Sequence, residues 1–298
     1  MANIIAVIWD CDRTLIDGYM QDPIFRHFGI DPKAFWAEVN ERPAGYEKMG
    51  IRVNRDTYYL NHFIHCAHNG AMPGLNNAML RDFGAQQKFY PGIPDFFRET
   101  KEWFRDDKQY SEYGIRVEHY IVSTGFAEVI RGSALAPYVD GIWGCELVEN
   151  KDDQGRDVLG EVVYTIDNTT KTRAIFEINK GPDINVNSRI AKELRRVRFE
   201  NMIYVADGPS DVPAFSLVKQ NGGATFAIYP KGDMRALSQV EQMRQDDRVD
   251  MYAEADYSAN TMAYMWLSNK IHGIADRIRN EEQKKIRGSV TDAPKHLD

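Results

Sequence analysis

The run Ile4-Ile5-Ala6-Val7-Ile8-Trp9-Asp10-Cys11-Asp12-Arg13-Thr14-Leu15 decides the fold of this chain. Its first six residues are apolar and rich in β-branched side chains, which is typical of a strand buried on both faces of a sheet. The run then ends abruptly in two carboxylates. Because residues two apart on an extended segment point the same way, Asp10 and Asp12 are predicted to converge at the strand's carboxyl end. Open α/β sheets hold their ligands at that edge.

Two carboxylates in one small volume repel each other, and this raises the pKa of one of them unless a cation lies between them. Mg²⁺, a hard ion that prefers oxygen ligands, would remove the conflict. The alternative is a turn in which Asp10 and Asp12 act only as turn formers.

Composition limits the classes of protein to consider. The 298 residues are 43% hydrophobic and 27% charged, which is typical of a globular protein with one large domain, or with a core and a smaller domain. A net charge of −7 argues against a general nucleic-acid or anionic-membrane binder. The sequence lacks an apolar run of membrane-span length and the pattern of a secretion signal, and its three cysteines have no paired spacing. We therefore expect a cytoplasmic protein that binds neither nucleic acid nor membrane, and the sequence leaves the oligomeric state open.

Residues 18–89 have a helical pattern, since apolar and aromatic residues recur there every three or four positions and no strand pattern appears. Helix breaks are predicted near residues 43–45 and 72–74. We predict that residues 18–89 form a helical cap domain inserted into an α/β core of residues 1–17 and 90–298. The cap contains three histidines and a cysteine, His62, His65, His68 and Cys66, whose incomplete ligand geometry favours surface or packing roles over zinc binding.

The core alternates strands and helices, which predicts a parallel sheet with helices on both faces. Further strands are predicted at residues 118–122, 202–206 and 224–229, with a hairpin tip at 151–155. A closing helix is predicted at about residues 260–278, and residues 281–298 are expected to be a frayed polar tail.

The second and third strands also end in polar groups. The second is followed by Ser123-Thr124-Gly125, which predicts a phosphate cradle at a helix start or a helix cap alone. The third is followed by Asp207 and Asp211. Lys171 falls in the first turn of a predicted helix, where the helix dipole opposes a cation.

In this order the elements resemble the haloacid dehalogenase-like (HAD) superfamily of phosphohydrolases. The DxDxT pattern is met by Asp10-Cys11-Asp12-Arg13-Thr14, the second motif by Ser123, the third by Lys171 and the fourth by Asp207 and Asp211. The helical cap and the run 122–126 are most similar to the phosphoserine phosphatase branch. The resemblance implies a three-layer, Rossmann-like α/β core with an α-helical cap inserted after the first strand.

It also implies a Mg²⁺-dependent phosphomonoester hydrolase acting on a small phosphorylated metabolite. Asp10 would be the nucleophile that forms an aspartyl-phosphate, and Asp12 the general acid and base. Mg²⁺ would be held by Asp10, the backbone carbonyl of Asp12, and Asp207. The remaining implied residues hold the transferring phosphoryl oxygens or support the site: Ser123, Thr124, Gly125 and Lys171 for the first role, Asp211 and Thr14 for the second.

Some points stay open. Lys180 is the alternative phosphate-contacting lysine, although the helix start favours Lys171. Arg13 stands where the superfamily usually has a small residue and is expected to narrow the pocket or contact a substrate anion. Ser210 replaces a frequent asparagine. A phosphotransferase would use the same residues, and a regulatory protein without turnover would keep the fold alone.

Overall fold

A computed structural model describes residues 3–181 and 183–291, with side chains described through residue 288. Seven strands in this part of the chain form one sheet in the order β4-β3-β2-β1-β5-β6-β7. Neighbouring strands are parallel except β3 and β4, which form an antiparallel hairpin at one edge. The strands are β1 (Asn3–Trp9), β2 (Ile115–Phe126), β3 (Gly141–Lys151), β4 (Asp157–Tyr164), β5 (Met202–Ala206), β6 (Ala224–Tyr229) and β7 (Met251–Glu254).

The first four helices after β1 are α1 (Asp22–Phe28), α2 (Pro32–Lys48), α3 (Arg55–Asn69) and α4 (Asn77–Gly84). The others are α5 (Asp95–Glu102), α6 (Lys108–Ser111), α7 (Ala127–Arg131), α8 (Thr170–Lys180), α9 (Val212–Gln220), α10 (Met234–Gln245) and α11 (Met262–Thr291). None of these described helices combines the length and the apolar composition needed to cross a membrane.

Strand register places the helices on both faces of the sheet. Trp9 and His119 lie on one face, where Phe97 of α5 stacks on both rings. Tyr204 pairs in register with Ile8, one residue before Trp9, so its side chain points to the other face, where Phe215 of α9 packs against it. The predicted α/β class, with a mostly parallel sheet flanked by helices, is therefore confirmed.

Helix α4 docks on α7 through close backbone contact. A side chain at Gly84 would overlap the carbonyl oxygen of Val129, and one at Gly132 would overlap that of Arg81. Glycine is needed at both positions because α4 and α7 approach too closely for a Cβ atom. The division into a cap at 18–89 and a core at 1–17 and 90–298 stays a prediction.

Several predicted boundaries are wrong. The second strand continues beyond residue 122 to Phe126, because its pairing with β3 resumes after a register shift. Pro43 lies buried inside α2 and does not break it, since tertiary packing outweighs the local preference of proline.

The carboxyl-terminal part also differs from its prediction. β7 has no counterpart among the predicted strands, because a strand of four residues with one buried side chain gives little periodicity. The closing helix runs to Thr291, through the first part of the tail expected to fray, and residues 292–298 lie outside the described residues.

Candidate active site

Lys171 lies between two buried carboxylates. Its Nζ donates to Asp10 Oδ1 at 2.7 Å and to Asp211 Oδ1 at 2.6 Å. Asp10 follows Ile8 by two residues and therefore points to the same face of the sheet as Ile8. Helix α8 carries Lys171 to that face. Burial alone would lower the pKa of Lys171, but the charges of Asp10 and Asp211 raise it above its ordinary value. The lysine is therefore a fixed ammonium group.

Asp211 is held from two further directions. The Tyr204 hydroxyl donates to Asp211 Oδ1 at 2.6 Å, and the Ser210 hydroxyl donates to Oδ2 at 2.9 Å. Three donors satisfy the oxygens of this fully buried carboxylate and orient it toward Lys171.

Asp10, Asp207 and Asp211 form the one group of three or more possible metal ligands within the described residues, with one oxygen of each carboxylate within 4.8 Å of the others. Burial, followed by the charges of Asp10 and Asp211, raises the pKa of Asp207 to about 7, although Arg13 and Lys171 lower it. Burial also raises the pKa of Asp10, which reaches about 6 although Lys171 lowers it.

Carboxylates that resist ionisation because they share a buried volume gain from a divalent cation among them. Hard oxygen donors at this spacing fit Mg²⁺. The side chain of Asp12 is not a member of this group.

Asp12 lies beside the group and has a separate environment. The backbone N–H of Met20 donates to Asp12 Oδ1 at 2.9 Å. Burial, followed by the charge of Asp10, raises the pKa of Asp12 to about 8. A carboxyl with that pKa carries a proton near neutral pH and has one to donate.

Arg13 is an unusual residue within the loop after β1. Its backbone has a φ of +58°, a conformation that non-glycine residues rarely adopt. Its Nη2 lies 2.9 Å from Asp233 Oδ2, and its Nε lies 3.6 Å from Asp207 Oδ2. The guanidinium group thus already faces two carboxylates of this chain. It is therefore less available to a substrate anion than the sequence predicted.

The segment Ser123-Thr124-Gly125 lies at the same edge of the sheet, but its backbone donors are partly engaged. Gly125 N–H donates to Ser123 Oγ at 3.1 Å, and Phe126 N–H points to Met20 Sδ at 3.1 Å. A side chain at Gly125 would overlap that sulfur atom. Gly125 therefore permits a close approach of Met20, whereas the buried Ser123 hydroxyl keeps a hydrogen to donate.

Of the remaining predicted residues, Thr14 lies at the site and Lys180 lies away from it. Thr14 is fully buried, and its Oγ1 lies 3.5 Å from Asp10 Oδ2. Lys180 is at the far end of α8, where its Nζ donates to the carbonyl oxygens of Val186 and Ser188. The structure therefore places Lys171, and not Lys180, beside Asp10.

A cleft of about 500 Å³ opens next to Asp12. Its other walls come from α2 and α3 and from the segments around Tyr19, Gln21 and Thr124. Tyr59 closes one side, where its hydroxyl donates to the Thr124 carbonyl at 2.6 Å and joins α3 to β2.

Three contributors were not found from the sequence. Tyr204 sits within a buried strand, where its hydroxyl is the only hint of a polar role. Asp233 caps α10 through the N–H groups of Arg235 and Ala236, so it resembles an ordinary helix cap. Met20 contributes its backbone N–H, which leaves no signal in a sequence.

Comparison with known proteins identifies the fold. A crystal structure of a HAD-family hydrolase from Salmonella enterica superposes with a TM-score of 0.52, at 15% identity over 85% of this chain and 67% of that one. The chain has the haloacid dehalogenase-like fold. A structure of phosphoserine phosphatase superposes on this HAD fold with a TM-score of 0.48, at 16% identity over 84% of this chain and 93% of that one.

Sequence comparison adds a relative. The chain is 36% identical over 283 residues to an uncharacterized protein of Borreliella burgdorferi, across 90% of this chain and 97% of the relative. The chain belongs to one family with that protein. No protein-family model matches the sequence.

Proposed function

We propose that this protein is a Mg²⁺-dependent phosphomonoester hydrolase that acts on a small phosphorylated metabolite through an aspartyl-phosphate on Asp10. The observation that carries the proposal is the buried Lys171 ammonium within 2.7 Å of Asp10 and 2.6 Å of Asp211, with Asp207 in the same carboxylate group. The name of the Salmonella protein, a HAD-family hydrolase, supports the same reaction class.

Asp10 is suited to attack phosphorus. Lys171 holds its Oδ1, while Oδ2 lies 3.5 Å from Thr14 Oγ1 and keeps lone pairs available. Attack forms the Asp10–phosphorus bond as the bond between phosphorus and the ester oxygen breaks. Ser123 and Lys171 supply a hydroxyl and an ammonium group toward the transferring oxygens.

Asp12 is suited to proton transfer in both half-reactions. With a pKa near 8 it is protonated at neutral pH and gives its proton to the leaving ester oxygen. In the second step the Asp12 carboxylate takes a proton from water, which attacks phosphorus and releases phosphate and Asp10. The Met20 N–H holds Asp12 in one orientation for both steps.

Asp10, Asp207 and the backbone carbonyl of Asp12 would hold Mg²⁺, with Asp211 close by. The ion would supply charge neutralisation for the phosphoryl group. A small-molecule phosphate ester as partner and the cytoplasm as compartment are part of the same proposal.

Hydrolysis of p-nitrophenyl phosphate tests the proposal. Wild type is assayed with Mg²⁺ and after removal of divalent ions with EDTA, beside Asp10→Asn and Asp17→Asn. Asp17 is a matched control because it is exposed on the same loop. We expect Mg²⁺-dependent turnover in wild type and Asp17→Asn, and a loss of roughly a thousandfold or more in Asp10→Asn. Equal rates for wild type and Asp10→Asn would refute the proposal.

A further inference from the structure

Gln21 is a buried side chain with an unused polar atom. The residue is 4% exposed, and no described residue donates a hydrogen bond to its Oε1. It occupies the N-cap position of α1, yet its side chain makes no capping bond. Since buried amide oxygens are normally paired, this one is suited to a partner from outside the chain.

Gln21 lies on the leaving-group side of the proposed site. Gln21 and Asp12 line the same cleft of about 500 Å³. The backbone fixes them together, because Met20 N–H donates to Asp12 and the carbonyl of Met20 accepts from Gln87 Nε2 at 3.0 Å. A group bound by Gln21 would therefore lie near the ester oxygen that Asp12 protonates.

Most of the other residues that line the cleft are uncharged. Trp36 and Tyr59 present neighbouring rings, with centroids 5.7 Å apart, and the Tyr59 hydroxyl is already engaged by Thr124. Asn40 adds a second neutral amide, and the two charged residues, Arg55 and Asp56, are exposed and half-buried respectively, unlike the buried Gln21. An ammonium group at the depth of Gln21 would lose its hydration and gain only a neutral acceptor in return. A hydroxyl loses less hydration and is therefore favoured there.

We infer that Gln21 is a specificity-determining residue, which accepts a hydrogen bond from a hydroxyl of the leaving group, so that the substrate is a sugar or polyol phosphate. The inference rests on the proposed phosphatase function. A site built around such a bond rejects analogues that lack the hydroxyl, because the buried acceptor is then left unpaired.

Paired substrates test the inference. The values of kcat/KM are measured for glycerol phosphate against propyl phosphate, sorbitol phosphate against hexyl phosphate, and phosphoethanolamine against ethyl phosphate. Wild type is compared with Gln21→Met, which removes the acceptor at similar volume, and with Gln21→Glu, which keeps one. p-Nitrophenyl phosphate reports whether each protein is a phosphatase at all.

We expect wild type to prefer at least one hydroxylated ester over its alkyl partner by about tenfold to a hundredfold. Gln21→Met should lower that ratio by about tenfold, and Gln21→Glu should retain most of it. The melting temperature of Gln21→Met should not fall, because Oε1 has no partner to lose. A purely structural role would instead lower the melting temperature and reduce both members of each pair equally.

Three results overturn the inference. The first is turnover of p-nitrophenyl phosphate with no preference for hydroxylated esters. The second is a preference for phosphoethanolamine alone, and the third is an unchanged ratio in Gln21→Met. If wild type hydrolyses no phosphate ester, including p-nitrophenyl phosphate, the proposed function itself fails and the inference fails with it.

Discussion

At the scale of single residues, the charges of the site depend on one another. Lys171 neutralises two carboxylates that have little access to water, while Tyr204 and Ser210 complete the bonds of one of them. Removing one member of such a buried group leaves the others uncompensated, which is more costly than losing an exposed ion pair.

Replacement of Lys171 by methionine should therefore lower the free energy of unfolding by about 3 to 5 kcal/mol. Urea unfolding near neutral pH measures the change. Lys180→Met is the matched control on the same helix, since Lys180 donates to the backbone carbonyls of Val186 and Ser188 near the surface. The double variant Lys171→Met/Asp211→Asn should recover part of the loss, because fewer buried charges stay unpaired. A Lys171→Met protein as stable as Lys180→Met would contradict this electrostatic interpretation.

Sequence reasoning reached the charged residues of the site but not their supports. Asp10, Asp12 and Asp207 could be singled out because each interrupts or follows a buried apolar run, and Lys171 because it opposes a helix dipole. Gln21 and Tyr204 gave no such signal: their roles depend on which atoms approach them in three dimensions.

At the scale of elements, α4 and α7 join the helices after β1 to the sheet. Gly84 and Gly132 face the backbone of the opposite helix, and Arg81 forms an ion pair with Glu128 across the same contact. The position of the cleft beside Asp12 depends on this contact, because α4 belongs to the same run of helices that supplies the cleft's walls.

Gly84→Ala should destabilise the protein by about 1 to 3 kcal/mol or more, because the added methyl group overlaps a backbone carbonyl that cannot move freely. Gly45→Ala, within α2 and with open space around it, should instead stabilise by about 0.5 to 1 kcal/mol. Denaturant unfolding of the two variants measures both changes. If the two substitutions changed the free energy of unfolding by the same amount and in the same direction, the close contact between α4 and α7 would be contradicted.

The elements were predictable where the sequence pattern is strong. β1, β5 and β6 are continuous apolar runs, and the structure has all three. The extension of β2 through Phe126 and the short β7 were missed, because pairing with a neighbouring strand, and not local composition, determines them. Pro43 within α2 is the opposite case, in which a strong local signal is overridden by packing.

At the scale of the whole molecule, a buried neutral histidine links stability to pH. His119 is fully buried between β2 and α5. Its Nδ1 accepts from Trp9 Nε1 at 3.1 Å, and its Nε2 lies 2.7 Å from Thr100 Oγ1, whose hydrogen goes to the carbonyl of Phe96. Protonation of Nδ1 would place its N–H against the N–H of Trp9. Burial, with a smaller effect of the Lys101 charge, lowers the pKa of His119 well below its ordinary value.

A histidine whose pKa is lower in the folded state binds its proton more readily when unfolded. Its contribution to stability is therefore complete above about pH 6.5 and is lost as the pH falls below that value, by up to about 1.4 kcal/mol per pH unit. Urea unfolding at several pH values between about 8 and 5 measures this slope. His119→Gln should have a shallower slope than wild type, and His272→Gln, at an exposed position on α11, is the control. Identical slopes for wild type and His119→Gln would show that His119 does not cause the pH dependence of stability.

The central claim is that Asp10 carries the phosphoryl group during turnover. Wild-type protein turning over p-nitrophenyl phosphate with Mg²⁺ is quenched in acid, reduced with borohydride and digested, and the peptide that contains Asp10 is analysed by mass spectrometry. An aspartyl-phosphate is reduced to homoserine, so we predict homoserine at position 10 in wild type and none in Asp10→Asn. Steady turnover with position 10 unmodified, or with the modification at another aspartate, would contradict the account.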